Sequence, residues 1–360
     1  MISYIVGRNF GHLNRCIASV SKFQQLSNEL VKIYTFPHSF EWIESNLPYV
    51  TIDKFNKNEF KNELFQSNLI IHDWRDEVFK IKEIRGNHDF IMSGIYHSDI
   101  ILSEHDPVNQ REFKREIQVV AEKTTDIFFH INFMQPVETP NLSTFYVPIP
   151  PVSREITQEP AQVKEILGIP PNESFILIQM GGGMKPSRYK HIKEWFEKIN
   201  KLCCPHRIVI ANQFKKISFP FNKNIIQAPL FYNGINLVNA AEIVVSKPGM
   251  GILVDCVTTG TPLLSLPADT EEREEKNLTL KKLIGNDFCI VPEKFTHIEL
   301  AERIMEILDH SKVFKDAFNN LPHNGADVLA KVMKMLSGES VKNLPDLHDE
   351  ILKLTPFAVK

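Results

Sequence analysis

Short apolar runs alternate with longer polar stretches of helical spacing along most of this 360-residue chain. In the first half, residues 2–6, 32–36, 69–72, 99–102 and 127–131 are compact apolar runs of strand length. Residues 14–30 have helical spacing, with Leu13, Ile17, Val20 and Leu26 on or near one face. Strands separated by helices predict a parallel, doubly wound sheet. The pattern breaks between residues 145 and 160, where Tyr146-Val147-Pro148-Ile149-Pro150-Pro151-Val152 is proline-rich without helical period and predicts a stiff linker. A second α/β series follows. It has a helix at 161–168, a strand at 174–180, a helix at 189–202, and strands at 207–211 and 224–228. Then come a strand at 243–245, a helix at 252–259, a strand at 263–266, and closing helices at 298–308 and 326–336. Residues 337–360 have weak periodicity beyond a short helix at 346–354. The predicted organisation is a first domain at 1–147, a linker at 148–157, a second domain at 158–336 and a tail at 337–360. Ligands of open α/β sheets bind beyond the carboxyl ends of the strands. Two such halves predict an α/β fold of two Rossmann-like doubly wound domains facing a central cleft.

The densest chemistry lies between residues 243 and 277. A buried strand runs into Lys247-Pro248-Gly249-Met250-Gly251, then a helix closed by Gly260 and Pro262, then a second strand. Such a unit presents the unpaired N–H groups and positive dipole end of a helix to an anion. Asp255, one turn into that helix, is placed to accept hydrogen bonds from vicinal hydroxyls, as acidic residues do for ribose in dinucleotide folds. A diphosphate on the turn and a ribose on the carboxylate would form a nucleotide-diphosphate site. Alternatively Asp255 is a surface carboxylate favoured by the dipole, and Ser246 simply ends its strand.

This stretch resembles the donor-binding segment of GT-B glycosyltransferases, the group that includes the MurG-type N-acetylglucosaminyltransferases. The matching residues are Ser246-Lys247-Pro248-Gly249-Met250-Gly251, Asp255 where the family usually has Glu, and Gly260-Thr261-Pro262. Arg273-Glu274-Glu275-Lys276-Asn277 fits an H/R-Q/E-x-x-N element, with Glu274 where Gln is commoner. The resemblance implies a metal-independent, inverting glycosyltransferase with a nucleotide-sugar co-substrate, a UDP-sugar first, and no other cofactor. Ser246, Lys247, Gly249, Met250, Gly251, Asp255, Glu274 and Asn277 would bind the donor. Gly181-Gly182-Gly183, closing the first strand of the second half, lacks Walker spacing but can cradle an anion with its N–H groups, or serve only as a tight turn. In the resembling transferases this loop borders the donor diphosphate, with Lys185 beside it.

Gly7-Arg8-Asn9-Phe10-Gly11-His12-Leu13-Asn14-Arg15 follows the first strand. It places His12 at the tip of a loop near the start of a helix, where an imidazole can take a proton from an attacking hydroxyl or water. The pattern resembles the G-H-x-x-R loop of the same family, which implies a catalytic His12 with Gly11 and Arg15 on the acceptor side; Asp73, which follows a strand, stands near a position where the family often has an aspartate bordering that side. Arg15 could equally pair with phosphate or with a carboxylate of the fold. A capping histidine without chemistry is the plain alternative. Gly86-Asn87-His88-Asp89 copies an element of metallophosphoesterases, but the further ligands of a two-metal site are missing, and Asp346-Leu347-His348 comes at the wrong end. No metal site is expected.

Composition narrows the alternatives. A net charge of −3 without a basic tract argues against nucleic acid. Five cysteines without metal spacing read as reduced residues of a cytoplasmic protein. The N-terminus reads as a first strand rather than a signal peptide. Phe214-Lys215-Lys216 through Phe221-Asn222-Lys223 mixes aromatics with lysines and reads as a solvated loop in preference to a peripheral membrane contact. The other functions weighed are a nucleotide-sugar hydrolase with water as acceptor, a non-hydrolysing epimerase (whose G-T-R-P-E type motif is absent), and a non-catalytic sugar-nucleotide-binding protein. The acceptor is not legible.

Overall fold

The structure is a computed structural model that describes residues 1–7, 9–54, 61–104, 106–181, 188–211 and 218–357. Its described residues form two compact units, one of residues 1–153 and 322–360, the other of residues 154–321.

The sheet of the first unit contains β1 (Ile2–Ile5), β2 (Val31–Thr35), β3 (Thr51–Lys54), β4 (Leu69–Asp73), β5 (Ile91–Tyr96), β6 (Ile127–Ile131) and β7 (Phe145–Ile149). Their order is β3-β2-β1-β4-β5-β6-β7, all parallel. β1, β4, β5 and β6 are buried along their whole length, the pattern of a sheet covered on both faces. The expected strand at 99–102 does not form. Ile100 is buried against Ile117, Ala121 and Phe128, but its neighbours are loop residues, and β5 takes the place beside β6. Part of the expected linker is also strand. β7 pairs with β6 in the register His130↔Pro148, and the missing proline N–H is tolerated because β7 is an edge.

The second unit has β8 (Phe175–Gln179), β9 (Arg207–Ile210), β10 (Ile225–Gln227), β11 (Ile243–Ser246) and β12 (Leu263–Ser265) in the order β10-β9-β8-β11-β12, again parallel. In both sheets the chain first winds one way from the central strand and then the other. The reversals fall between β1 and β4 and between β8 and β11, and ligands of doubly wound sheets bind outside the strands' carboxyl ends at such points.

The helix Gly325–Leu336 and the tail do not close the second domain, as the sequence pattern predicts; they belong to the first unit. The helix packs against helix Phe10–Leu26. Its apolar face, with Val328, Leu329, Val332 and Met333, is fully buried. Gly325 is required at its start, because a Cβ there would fall 2.1 Å from the Pro150 carbonyl oxygen. Lys22 pairs with Asp327 at 3.3 Å, His348 Nε2 lies 2.9 Å from the Tyr146 carbonyl, and Thr355 Oγ1 donates to Pro148 O at 2.6 Å. Asp89 of the Gly86–Asp89 segment accepts the Val341 N–H at 3.2 Å, and His88 stacks on Phe65, so that turn anchors the tail.

Candidate active site and donor-binding turn

At the first reversal, β1 leads through Gly7 into helix Phe10–Leu26, with Asn9 at the N-cap position and no side-chain cap bond. His12 is therefore in the first helical turn, not at a loop tip; its N–H bonds the Asn9 carbonyl at 3.0 Å. Because β4 lies beside β1, its last residue, Asp73, meets this helix. His12 Nδ1 is 2.6 Å from Asp73 Oδ1, and Arg15 donates through Nε to Oδ2 at 2.8 Å and through Nη2 to Oδ1 at 2.6 Å. The bidentate fork resolves the question of Arg15: its partner is a carboxylate of the fold.

All three side chains are largely removed from water, with Asp73 fully so. Burial pushes the Asp73 carboxyl up, but Arg15 and then His12 outweigh it and hold it well below the usual carboxylate range. Burial likewise lowers Arg15, and Asp73 more than restores its proton affinity. Arg15 Nη2 also lies 2.7 Å from His12 Nδ1. That nitrogen cannot both donate to Asp73 and accept from Arg15. The carboxylate is the stronger acceptor, and Nη2 already donates to it, so the network assigns the proton to Nδ1 and leaves the lone pair on Nε2.

Gly7 matters through contact rather than conformation. A Cβ there would fall 2.4 Å from the Asp73 carbonyl oxygen and from His12 Cγ. Gly11 is the opposite: a Cβ would meet nothing within 4 Å. Sequence reasoning missed Trp74, whose φ of +53° is a left-handed conformation for a bulky residue. Its ring stacks on Tyr96, with centroids 3.9 Å apart, and the next N–H, of Arg75, bonds His72 Nδ1 at 3.2 Å. No residue-type signal marks a tryptophan for that conformation.

At the second reversal, β8 ends at Gln179, two residues before Gly181, and β11 ends at Ser246. Gly182, Gly183 and Lys185 lie outside the described residues, as do His105 and Phe214-Lys215-Lys216. Ser246 is buried and donates its hydroxyl to the carbonyls of Gln179, at 2.5 Å, and Lys247, at 2.9 Å. Its proton ties β11 to β8, which is the strand-ending role. Gly249 begins helix Met250–Thr259 without a side-chain cap, leaving the N–H groups around Met250 and Gly251 to a ligand or water. Lys247 lies between Gly181 and Gly249. Burial, with Arg273 adding to it, pushes its amine down to about 8, while Glu272 and Asp269 pull the other way.

Asp255 is mid-helix, with a side chain 13 % exposed, and its Oδ2 pairs with Arg154 at 3.3 Å. Burial raises its carboxyl above the ordinary value, and Arg154 recovers part of the shift. Arg154 has no motif to announce it. In helix Glu271–Ile284, Glu274 is exposed, whereas Asn277 is buried, accepting from Ser265 Oγ at 2.6 Å and donating to Leu266 O at 3.2 Å. Asn277 thus fastens the helix to the end of β12, a structural duty rather than contact with the turn. Arg273 is paired with Asp269 and lies over the Tyr189 ring. Phe219 and Phe221 pack on Phe196, which ties that aromatic segment to the core. Among the described residues no group of three His, Cys, Asp or Glu is arranged to hold a metal, and no helix is long and apolar enough to cross a membrane.

No protein-family model matches the chain, and no curated protein matches it in sequence. Solved structures do. The spinosyn forosaminyltransferase SpnP is similar with a TM-score of 0.60 at 11% identity, covering 97% of this chain and 98% of that one. Arabidopsis thaliana UGT89C1, solved with quercetin, gives 0.63 at 12% over 97% and 98%. LpCGTa, solved with UDP, gives 0.64 at 10% over 93% and 98%. Identities this low speak to architecture, and the architecture is shown: two Rossmann-like, doubly wound α/β domains of the kind found in GT-B glycosyltransferases.

Proposed function

We propose that this protein is an inverting glycosyltransferase that moves a sugar from a nucleotide-diphosphate donor, a UDP-sugar first, to a hydroxyl acceptor. The observation that carries the reading is the His12–Asp73 hydrogen bond of 2.6 Å at the switch point of the first sheet. A histidine whose Nδ1–H is held by a buried carboxylate presents its other nitrogen as a base. In the reaction, His12 Nε2 takes the acceptor hydroxyl proton. The oxygen attacks the anomeric carbon opposite the diphosphate, whose C–O bond breaks with inversion. Amides around Gly249–Gly251, with Gly181 alongside, receive the departing charge. Asp255 accepts the ribose hydroxyls through Oδ1 while Arg154 holds Oδ2. Glu274 is an exposed candidate for the sugar, and no resident metal or cofactor is invoked. The UDP bound in LpCGTa and the UDP-L-rhamnose and quercetin bound in UGT89C1 support this choice of substrates.

Calorimetric titration with UDP, GDP and dTDP tests the donor half. One of them binds, and Asp255→Ala weakens it by about tenfold or more. Turnover of the matching nucleotide sugars tests the base: His12→Ala loses about 10²–10⁴-fold in rate with donor affinity unchanged. Release of free sugar without an acceptor would point to the hydrolase instead. Binding of no nucleotide would overturn the reading and favour a non-catalytic protein.

A further inference from the structure

Lys247 stands out for the charge around it. Its stem threads between the ends of β8 and β11. A Cβ on Gly181 would fall 2.5 Å from Lys247 Cε and 3.4 Å from Nζ, and one on Gly249 would fall 3.3 Å from Nζ. Gly181 has φ +76°, so the backbone there favours glycine, and a side chain would displace the end of Lys247. An ammonium has three protons to donate. Among the described residues its hydrogen-bond partner is the Pro248 carbonyl, at a long 3.5 Å. The acids nearest in charge are used elsewhere or face water: Asp269 is paired with Arg273 and accepts the Lys190 N–H at 2.7 Å, and Glu272 is exposed. Beside the amine, helix Met250–Thr259 begins uncapped. Two cationic devices, a helix start and an ammonium, thus lie side by side without a hydrogen-bonded anion among the described residues.

We infer that Lys247 is the residue by which this unit selects a nucleoside diphosphate over a monophosphate. The amides of the helix start hold one phosphate, and the ammonium pairs with the other, its stem seated against Gly181 and Gly249. This rests on the donor-site reading above and adds to it a residue that counts phosphates. A monophosphate satisfies only the helix start and leaves the half-buried amine without a counter-charge.

The same geometry links binding to protons. The groups facing the amine are Arg273 and Glu272 of helix Glu271–Ile284 and Asp269 before it, and with burial they bring the amine to about 8. Above that pH the free protein holds Lys247 neutral, and a bound diphosphate favours the ammonium. Binding therefore takes up a proton, and affinity falls as pH rises beyond about 8, by up to tenfold per unit.

The test is calorimetry of the full chain with UDP and UMP (or the guanine or thymine pair, if that is the base taken up). It is run at about pH 7 and about pH 8.5, each in two buffers of different ionisation enthalpy. Wild type prefers UDP, and Lys247→Met cuts that preference about tenfold or more while moving UMP affinity by less than about threefold. At the higher pH the wild type takes up a fraction of a proton on binding UDP. That measurement needs no variant, so it decides the matter even where Lys247→Met folds poorly. An unchanged UDP preference in Lys247→Met, or no proton uptake by the wild type, overturns the role of Lys247 and leaves the donor site standing. Failure of the wild type to bind any nucleoside diphosphate overturns the donor site and this inference together.

Discussion

The two switch points of this molecule are built on opposite electrostatic plans. At the first, every charge is answered within the protein: Arg15 forks onto Asp73, Asp73 holds His12, and Gly7 makes room for the contact. At the second, the charge is left open among the described residues, with the Lys247 amine between two glycines and its hydrogen bond a long one to the Pro248 carbonyl. The first arrangement suits a group that must keep one orientation and one tautomer before substrate arrives. The second suits a site whose missing charge arrives with the ligand. A complete network stabilises the free protein, whereas an open one costs stability that binding returns. That contrast can be broken from either side.

The largest effect is expected from Asp73→Ala, which strands the Arg15 charge in the interior. It lowers unfolding free energy by about 3–5 kcal/mol, and adding Arg15→Met recovers a large part, as urea denaturation of the single and double variants would show. The folded-state value of Asp73 is depressed, so its stabilisation is complete above the ordinary carboxylate range and fades as pH falls below about 4. The variant lacks that acid-dependent loss.

Lys247→Met is expected to act with the opposite sign. The amine is lowered to about 8 from 10.5. The wild type therefore gains stability as pH rises across that interval, and the variant stays flat and is about 2–3 kcal/mol more stable near neutrality. Thermal melts from about pH 7 to about pH 10.5 would read both slopes; a less stable variant would mean that the ammonium is already paired.

The glycines of one loop sharpen the comparison further. Gly7→Ala forces apart His12 and the Asp73 carbonyl and costs about 1–3 kcal/mol. Gly11→Ala, in a helix with open space, is neutral or stabilises by up to about 1 kcal/mol. A last contrast lies in two residues of the second unit's acidic element. Asn277→Ala unfastens helix Glu271–Ile284 from β12 and costs about 1–2 kcal/mol, while Glu274→Ala stays within about 0.5 kcal/mol. Equal losses at Asn277 and Glu274 would contradict their different burial.

Much of the fold was legible because parallel strands buried on both faces must be apolar throughout. β1, β4, β6, β8, β9 and β11 all stand where such runs are seen, within a residue or two. Residues 99–102 misled because an apolar pair in a loop, Ile100 and Ile101, imitates a strand, whereas β5 at Ile91–Tyr96 carries a Ser-Gly interruption. Proline at 148 suggested a linker because a sequence cannot say which strand is an edge. Within the sites, the loop pattern pointed to His12 and Arg15 and the strand end pointed separately to Asp73, while the motif residues Ser246 and Asn277 spend their hydrogen bonds on the fold.

By itself the sequence determined the two parallel α/β series, the glycine turns at their strand ends, and the helix start at Gly249, because period and turn chemistry are local properties. Only the tertiary structure decided that β4 lies beside β1, which brings Asp73 to His12 across 61 residues of chain. It alone returned helix Gly325–Leu336 to the first unit, and it alone left Lys247 without an anionic hydrogen-bond partner among the described residues while giving Asp73 the Arg15 guanidinium and the His12 ring. Strand order and charge compensation are set by which surfaces pair over long range, and that choice is not encoded in any window of residues short enough to read.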